Sequence, residues 1–596
     1  MYRLLDVLPV FDGDERVATQ FTLVPGSDFA TDALAAIERT RARTVPWPEA
    51  ARHPYDLILT ASPKGELTRL RGPLALFPHG AGFGKAFPDE GTAARASGLD
   101  PAFLQPDGHA LADFHALAHP SQLRELTAHS PVAARNAAVV GDPTLERLLA
   151  SRSHRDRYRA ALRTGARTLI ALCSTWGPES LLRRRPGLPA ALARHLPYDA
   201  YQLALLVHPN ERCRTTEPDL ARHLAPALDA GMLLAEPHAE WASLLVAADC
   251  VIGDHGSAAL YGAALGRPVI GAYDGGAELL SGSPMAELLA HSPHLPHFVD
   301  LPHPSDLPHP SGPDTPAPDT SDSDTPVEAV LHDALTTAST AVARSCADAA
   351  FARRGQAMEL LAAELYRLLA LTPRVRPAAR TLPEPAPPDR TPGAFAVRVR
   401  RTGTALLRVA RLPAGTDARG DHLAAEHGTA PERHVQSAAL LYRRATPPQA
   451  PPHAPSGQHR TAVPECRWTV AGWTAQTLEH YPGCDTAAAI LSHQHCVVRA
   501  RSGLLLSVRV DPATDAHGRR VIHVDPAAAL SAVHAWLSGL TRAATGKASR
   551  TPPGGRRSGH DPVAAALPAN LTCLVGGRAF RTRVVRASSQ DTAQPL

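Results

Sequence analysis

Along residues 150 to 272 short apolar runs recur between polar, helix-like stretches. The runs are Thr168 to Cys173, Leu203 to Val207, Gly231 to Leu234, Val251 to Gly253 and Val269 to Ala272. Each is strand-sized and almost free of alternation, which is the pattern of strands buried on both faces of a parallel sheet. The clearest unit is VIGDHGSAALYGAALGRPVI, Val251 to Ile270: an apolar approach, a polar turn Asp254-His255-Gly256-Ser257, a helix over Ala258 to Leu265, a Gly266 stop and a second apolar run. The first backbone N–H groups of such a helix lack intrahelical partners and carry partial positive charge, so this turn suits a phosphate. Ser257 and His255 would add side-chain donors there, whereas the plainer reading has Asp254 and Ser257 only capping the helix.

A similar series precedes it. Leu4 to Val10, Val17 to Val24, Leu57 to Leu59, Leu74 to Phe77 and Val139-Val140 read as strands, with a helix near Ala30 to Arg43. A charged helical stretch, Leu145 to Arg163, separates the two series. The expected fold class is therefore α/β, with two Rossmann-like domains, 1–147 and 148–372, facing a cleft. Within the second, residues 301–327 are Pro, Ser, Thr and Asp repeats with little to bury, and read as a disordered insert. Glu328 to Leu371 reads as helical. A Pro-rich linker, 373–392, leads to 393–596, where short strands at Ala396 to Val399, Trp468 to Val470, Cys496 to Val498, Leu504 to Val510 and Val521 to Val524 and a helix from Pro526 to Leu540 predict an α+β accessory domain.

Composition narrows the partners. At 596 residues, three or four domains are expected. A net charge of +4 is too near balance for a protein that coats nucleic acid. The only lysines are Lys64, Lys85 and Lys547, an excess of Arg over Lys that points to compositional bias. Eight scattered cysteines without a CxxC pair, no secretory signal and no run of membrane-spanning length lead us to expect a cytoplasmic protein, with peripheral membrane contact left open. No cofactor or metal is expected. His291, His294, His297, His303 and His309 are irregularly spaced, and His493-x-His495-Cys496 lacks a fourth ligand and reads as a strand start. The basic run Leu540 to His560 reads as a solvated loop.

Candidate chemistry lies where strands end. After Leu74 to Phe77 comes Pro78-His79-Gly80-Ala81-Gly82-Phe83-Gly84-Lys85: Gly80 and Gly82 permit close backbone approach, His79 is a candidate base and Lys85 a fixed charge. Ser174 and Thr175 end one strand of the second series, and His208-Pro209-Asn210 ends another. The glycine loop is no P-loop, because the required first Gly is His79 and the magnesium-binding Ser/Thr is Ala86; a translational GTPase is accordingly disfavoured. Nor does it have the dinucleotide spacing.

The two-domain plan, PHGAGFGK in the first half, and HPN followed by ADCVIGDHGSAALYGAALGRPVI in the second resemble the GT-B superfamily, and within it the CDP-glycerol glycerophosphotransferase group of teichoic-acid polymerases. The resemblance covers about residues 55 to 290. It implies a nucleotide-activated donor and a hydroxyl acceptor, His79 as base, His208 as partner of the leaving phosphate, and Asp254 and Ser257 shaping the diphosphate turn. The family turn usually carries a Tyr and paired serines after its Asp, whereas here His255-Gly256 precede a single Ser257, and the family's membrane-associating extension is not evident. The expected function is glycerophospho- or glycosyl-transfer. Two alternatives stand beside it: a UDP-sugar epimerase-like enzyme, which would need cleft carboxylates such as Asp89 and Glu90, and a degenerate GT-B protein that binds a nucleotide or partner without turnover.

Overall fold

The computed structural model describes all residues except 26–29, 87–95, 97, 237–239, 274–275, 297–325, 337–338, 404, 417, 446–467, 516–517, 519 and 549–561. Two parallel α/β units of Rossmann-like form fill the first part of the chain. The first sheet runs β1 (Ile58–Thr60), β2 (Leu74–Leu76), β3 (Phe114–Leu117), β4 (Ala137–Val139) in that spatial order. Strand β3 escapes an apolar-run search because His115 interrupts it, although the imidazole is itself buried.

The expected strands Leu4 to Val10 and Val17 to Val24 do not form. Tyr2–Val7 is a helix followed by a 3-10 turn, Leu8–Phe11. Leu4, Val7, Val10 and Phe11 recur at helical spacing and pack in the first unit's core, so the run buries a helical face instead of a pleated one. Residues 17 to 24 form no strand and make a single bridge, Phe21 to Thr44.

In the second unit the order is β7 (Leu233–Leu234), β6 (Tyr201–Val207), β5 (Thr168–Ser174), β8 (Cys250–Gly253), β9 (Val269–Gly271), all parallel. From β5 the chain builds outward in one direction through β6 and β7, then reverses to add β8 and β9. The reversal falls between β5 and β8. Open parallel sheets bind ligands beyond strand carboxyl ends at such a point, since successive crossovers there diverge and leave a crevice.

Helices Pro326–Thr336 and Ser339–Ala350 complete the second unit's cores. Most of the expected insert lies outside the described residues, but its last two, Pro326 and Val327, begin a helix and Val327 is buried. Helix Ala357–Leu368 returns to the first sheet, where Met358, Leu361, Leu365 and Tyr366 pack with Phe77 and Phe114. Assigning 148–372 wholly to the second domain therefore needs correcting at its end: an amphipathic helix follows its apolar stripe to whichever core is open.

Beyond the Pro-rich segment stands a closed nine-stranded barrel that the sequence reading did not reach. Around it run β10 (Ala394–Thr402), β11 (Leu406–Pro413), β19 (Ala569–Val575), β20 (Arg578–Arg586), β16 (Leu505–Val510), β15 (His495–Ala500), β14 (Thr486–Ser492), β13 (Leu440–Arg444) and β12 (His422–Glu426). A short pair, β17 (Ala513–Thr514) and β18 (Val521–Ile522), lies apart. Helix Pro526–Ala548 packs into the barrel's core through Ala527, Ala528, Ala529, Leu530, Ala532 and Val533, all essentially unexposed. Four alanines keep that face narrow enough to share the interior with side chains from the strands. The expected strand Trp468 to Val470 is instead a helix start, with Thr469 capping Val470–His480 through the Gly472 N–H. His495 opens β15 and bonds Ser507, while Cys496 packs in the barrel core.

The barrel is bolted to the second unit by a buried ion cluster. Arg411, with no exposed surface, pairs with Asp199 and, at 2.8 Å, with Asp525; Arg444 joins Asp525 at 2.9 Å. Desolvation opposes the Arg411 charge, but the two carboxylates outweigh it. Replacing Arg411 with alanine leaves Asp199 without its partner and Asp525 with Arg444 alone, so Arg411→Ala is expected to cost about 3–5 kcal/mol in chemical denaturation.

Candidate functional site

The carboxyl ends of β5, β6 and β8 meet the loop after β2 across one cleft. From the second unit come Ser174 and Thr175 after β5, His208 after β6, and Asp254 to Ser257 after β8. From the first come His79 to Lys85. The rings of His79 and His208 lie 6.3 Å apart, and Trp176 stands 6.3 Å beyond His208. A β-carbon added to Gly80 would sit 3.3 Å from Ser257 Oγ, so the two loops approach closely there.

Asp254 organises this end of the second unit and presents no free carboxylate. Its Oδ2 accepts from the N–H groups of Thr175 (2.8 Å) and Leu181 (2.7 Å), and its Oδ1 from Gly256 (2.9 Å). Burial pushes its pKa up, opposed by His255 and these three N–H groups. Gly256 is fixed by this packing, since a β-carbon would meet Asp254 Oδ1 and Thr175 Cβ at 3.0 Å each.

The side-chain donor expected at His255 is not offered to the cleft. Its ring is buried, with Nδ1 3.1 Å from Tyr273 Oη and Nε2 3.1 Å from Glu278 Oε2. Ser174 Oγ is also engaged locally, donating to the Thr175 carbonyl and accepting from the Leu182 N–H. Ser257 makes no capping bond to its helix, Ala258–Ala264, which leaves the hydroxyl on the cleft side as the chemistry of the turn.

The histidines differ in their exposed lone pairs. His208 caps helix Pro209–Arg214, with Nδ1 accepting from the Asn210 N–H at 3.1 Å. A neutral ring that accepts at Nδ1 carries its proton on Nε2, and desolvation followed by the His79 and Lys85 charges lowers its pKa to about 3, holding it neutral. His79 is open to water in the cleft, yet desolvation, then the N-terminal amine and Arg3, lower its pKa to about 4 against a bond to the Ala61 carbonyl. A ring nitrogen that donates to Ala61 leaves the other with a free lone pair.

Lys85 closes one end of the cleft. Its Nζ meets Glu278 at 2.8 Å, donates to the Trp176 carbonyl at 2.8 Å and lies 4.9 Å from the Trp176 ring centre. Burial opposes ionisation of Glu278, but bonds from His255 and Lys85 bring its pKa below the ordinary value. Backbone bonds from Ala86 to Glu278 and from Leu280 to Gly84 complete the seam.

Several residues here were not singled out by sequence reasoning. Arg3 donates to the carbonyls of Pro78 and Gly80, pairs with Asp142 at 2.8 Å and reaches Tyr261 Oη at 3.0 Å. Tyr261 sat inside the Val251 to Ile270 segment and Trp176 directly follows Thr175, and Glu278 follows β9, so strand-end polarity was the available signal for it. Arg3 had none, being distant in sequence from everything it touches. Asp89 and Glu90 lie outside the described residues, as do His297, His303, His309 and Cys466. Among the described residues no group of His, Cys, Asp and Glu is arranged to hold a metal ion, and no helix is long and apolar enough to cross a membrane.

No family model and no curated protein matches the chain. Among solved structures it is similar to the wall teichoic acid polymerase TagF, at 12% identity and a TM-score of 0.34 over 46% of this chain and 66% of that one, just under two thirds of the polymerase's length. It is also similar to Anabaena Alr3699/HepE in complex with UDP and glucose, at 15% identity and a TM-score of 0.34 over 61% of this chain and 95% of that one.

The three N–H bonds to Asp254 predict a structural phenotype. Asp254→Asn sets an amide NH2 against backbone donors and is expected to cost about 1–3 kcal/mol in denaturant unfolding.

Proposed function

We propose that this chain is a nucleotide-activated group transferase of GT-B type, with the donor diphosphate seated at the switch point of the second sheet. The observation that carries this reading is the pairing of His79 and His208 across the cleft, 6.3 Å between rings, directly beside the β5 and β8 ends. One imidazole keeps a lone pair on the first unit's side and the other presents an Nε2–H on the second. That is the division of labour a displacement between an incoming hydroxyl and a departing phosphate requires.

In the proposed step an acceptor O–H gives its proton to His79 as its oxygen bonds the transferred carbon or phosphorus. The bond from that atom to the donor's bridging oxygen breaks, and its electron pair leaves with the nucleotide phosphate. His208 Nε2–H, Thr175 and Ser257 would hydrogen-bond the departing oxygens, while Asp254 keeps their loops in register. The transferred group is glycerophosphoryl or glycosyl, and the proposed site residues are His79, Gly80, Gly82, Ser174, Thr175, His208, Gly256 and Ser257. Lys85, Asp254 and His255 support the site through the contacts described above.

Titration calorimetry of the full chain with UDP, CDP, UDP-glucose and CDP-glycerol tests the reading. Binding of at least one of these, weakened in His208→Ala and retained in His79→Ala, is expected. His79→Ala should lower nucleotide release from the bound donor by about 10²–10⁴-fold, the usual contribution of a general base. Absence of binding by all four would overturn the proposal. The lowered His79 pKa also sets the sign of the pH response. The free base persists below the ordinary histidine range, so the acid limb of kcat/KM should fall below about pH 5. A limb centred near 6.5 would contradict it.

A further inference from the structure

The outer face of the barrel is charged in one sign. Along β10, β11, β19, β20 and β16, which are contiguous, one set of alternating positions points inward, where Val397, Leu407, Cys573, Phe580 and Val508 pack in the core. The other set puts Arg400, Arg408, Arg581, Arg583 and Arg509 outside, all exposed. These five strands contain no Asp or Glu, and their aromatics, Phe395 and Phe580, belong to the core.

Register sets like charges face to face. Arg400 lies opposite Arg408 across β10 and β11, and Arg583 opposite Arg509 across β20 and β16, with Arg581 two residues from Arg583 on the same face. Such pairs destabilise a sheet. Among the described residues Arg400, Arg408, Arg581 and Arg583 make no ion pair or side-chain hydrogen bond that would offset this, and Arg509 acts on Asp591, which His495 already meets at 3.3 Å. Elsewhere Arg155, Arg159, Arg183 and Arg390 each meet a carboxylate, so an Arg-rich composition explains the residue type but not the unpaired row. The row is narrow and curved. With strands about 4.8 Å apart it runs about 20 Å around a convex face, stepping diagonally as Arg408, Arg581 and Arg583 lie opposite Leu574, Thr572 and Asn570 of β19. A flat anionic membrane would reach only part of it, and nucleic-acid bases would find no exposed ring to stack on. A thin chain of phosphates can follow the curve, and a guanidinium fork binds phosphate oxygens in pairs.

We propose that this face of the barrel docks a linear polyphosphate chain, held by Arg400, Arg408, Arg581, Arg583 and Arg509. The bound phosphates relieve the repulsion within the two arginine pairs, so charge that costs stability in the free protein becomes binding energy. None of the five arginines lines the cleft, and the proposal stands independently of the transferase reading.

The test titrates the full chain into fluorescently end-labelled, long-chain inorganic polyphosphate and follows anisotropy, with single-stranded RNA, phosphatidylglycerol vesicles and polyglutamate as comparators. Saturable binding of polyphosphate is expected, tighter than that of each comparator and weakened by added salt. Arg408→Gln and, separately, Arg583→Gln should each weaken it about tenfold or more, the scale of a lost charge-assisted bond. Arg222→Gln, at an exposed arginine far from the row in sequence, should leave it unchanged. Thermal melting without polyphosphate separates a lost contact from a lost fold: the Arg408 and Arg583 variants should melt at or above the parent's temperature, because each removes one member of a like-charged pair. Absence of saturable polyphosphate binding, binding unchanged in both variants, or equal or tighter binding of RNA, vesicles or polyglutamate would overturn the proposal.

Discussion

A buried guanidinium sets the relation between the two walls of the cleft. Arg3 is 6% exposed and brings three distant parts of the chain together: the loop after β2 through the Pro78 and Gly80 carbonyls, the start of helix Pro143–Ala150 through Asp142 and Thr144, and helix Ala258–Ala264 through Tyr261. Removing such a charge from water is costly, and the cost is met here because every direction around the guanidinium offers an acceptor. Tyr261 in turn donates to Asp142 at 3.1 Å and packs its ring on Phe351. Since the Gly80 carbonyl is one of the acceptors, the adjoining His79 is placed by the same knot that docks the second unit's helix.

Asp254 does for the second unit what Arg3 does between units. A turn with this sequence can be read as a helix cap or as an anion seat, and in the structure neither Asp254 nor Ser257 caps helix Ala258–Ala264. Asp254 spends both oxygens on N–H groups of three segments, while Ser257 makes no cap. Holding the β5 and β8 loops together with a charge that faces inward turns the Asp254 carboxylate away from the cleft and leaves the Ser257 hydroxyl beside Gly80. An anionic donor would be repelled by the alternative arrangement.

How much of this was legible depended on the range of the interactions. The strands of the second sheet were readable because parallel strands buried on both faces are runs of apolar residues, and their polar ends followed directly. Leu4 to Val10 misled because an apolar run of that length fits a strand or a short helix equally, and packing of Val7 and Val10 decided it. His255 is the instructive case at the site: its type and position suggested a ligand donor, but Tyr273 and Glu278, both beyond the next strand, take its two nitrogens. The barrel was invisible for a topological reason. Its closure pairs Leu406 with Thr572 in parallel and Ala394 with Ala425, and nothing local encodes which strands will be neighbours.

The connections across the cleft resist separation unequally. At one end the buried Arg3–Asp142 pair of the first unit, 4% and 0% exposed, holds the Tyr261 hydroxyl of the second, so parting them would leave buried polar groups without partners. At the other, Lys85 is 18% exposed and its ammonium can be rehydrated as it leaves Glu278. The barrel is joined to the second unit, through Arg411 and Asp199. Glu278 is held by His255 as well as by Lys85, so the second unit's loops owe their arrangement to contacts within that unit as well as to the first unit's loop.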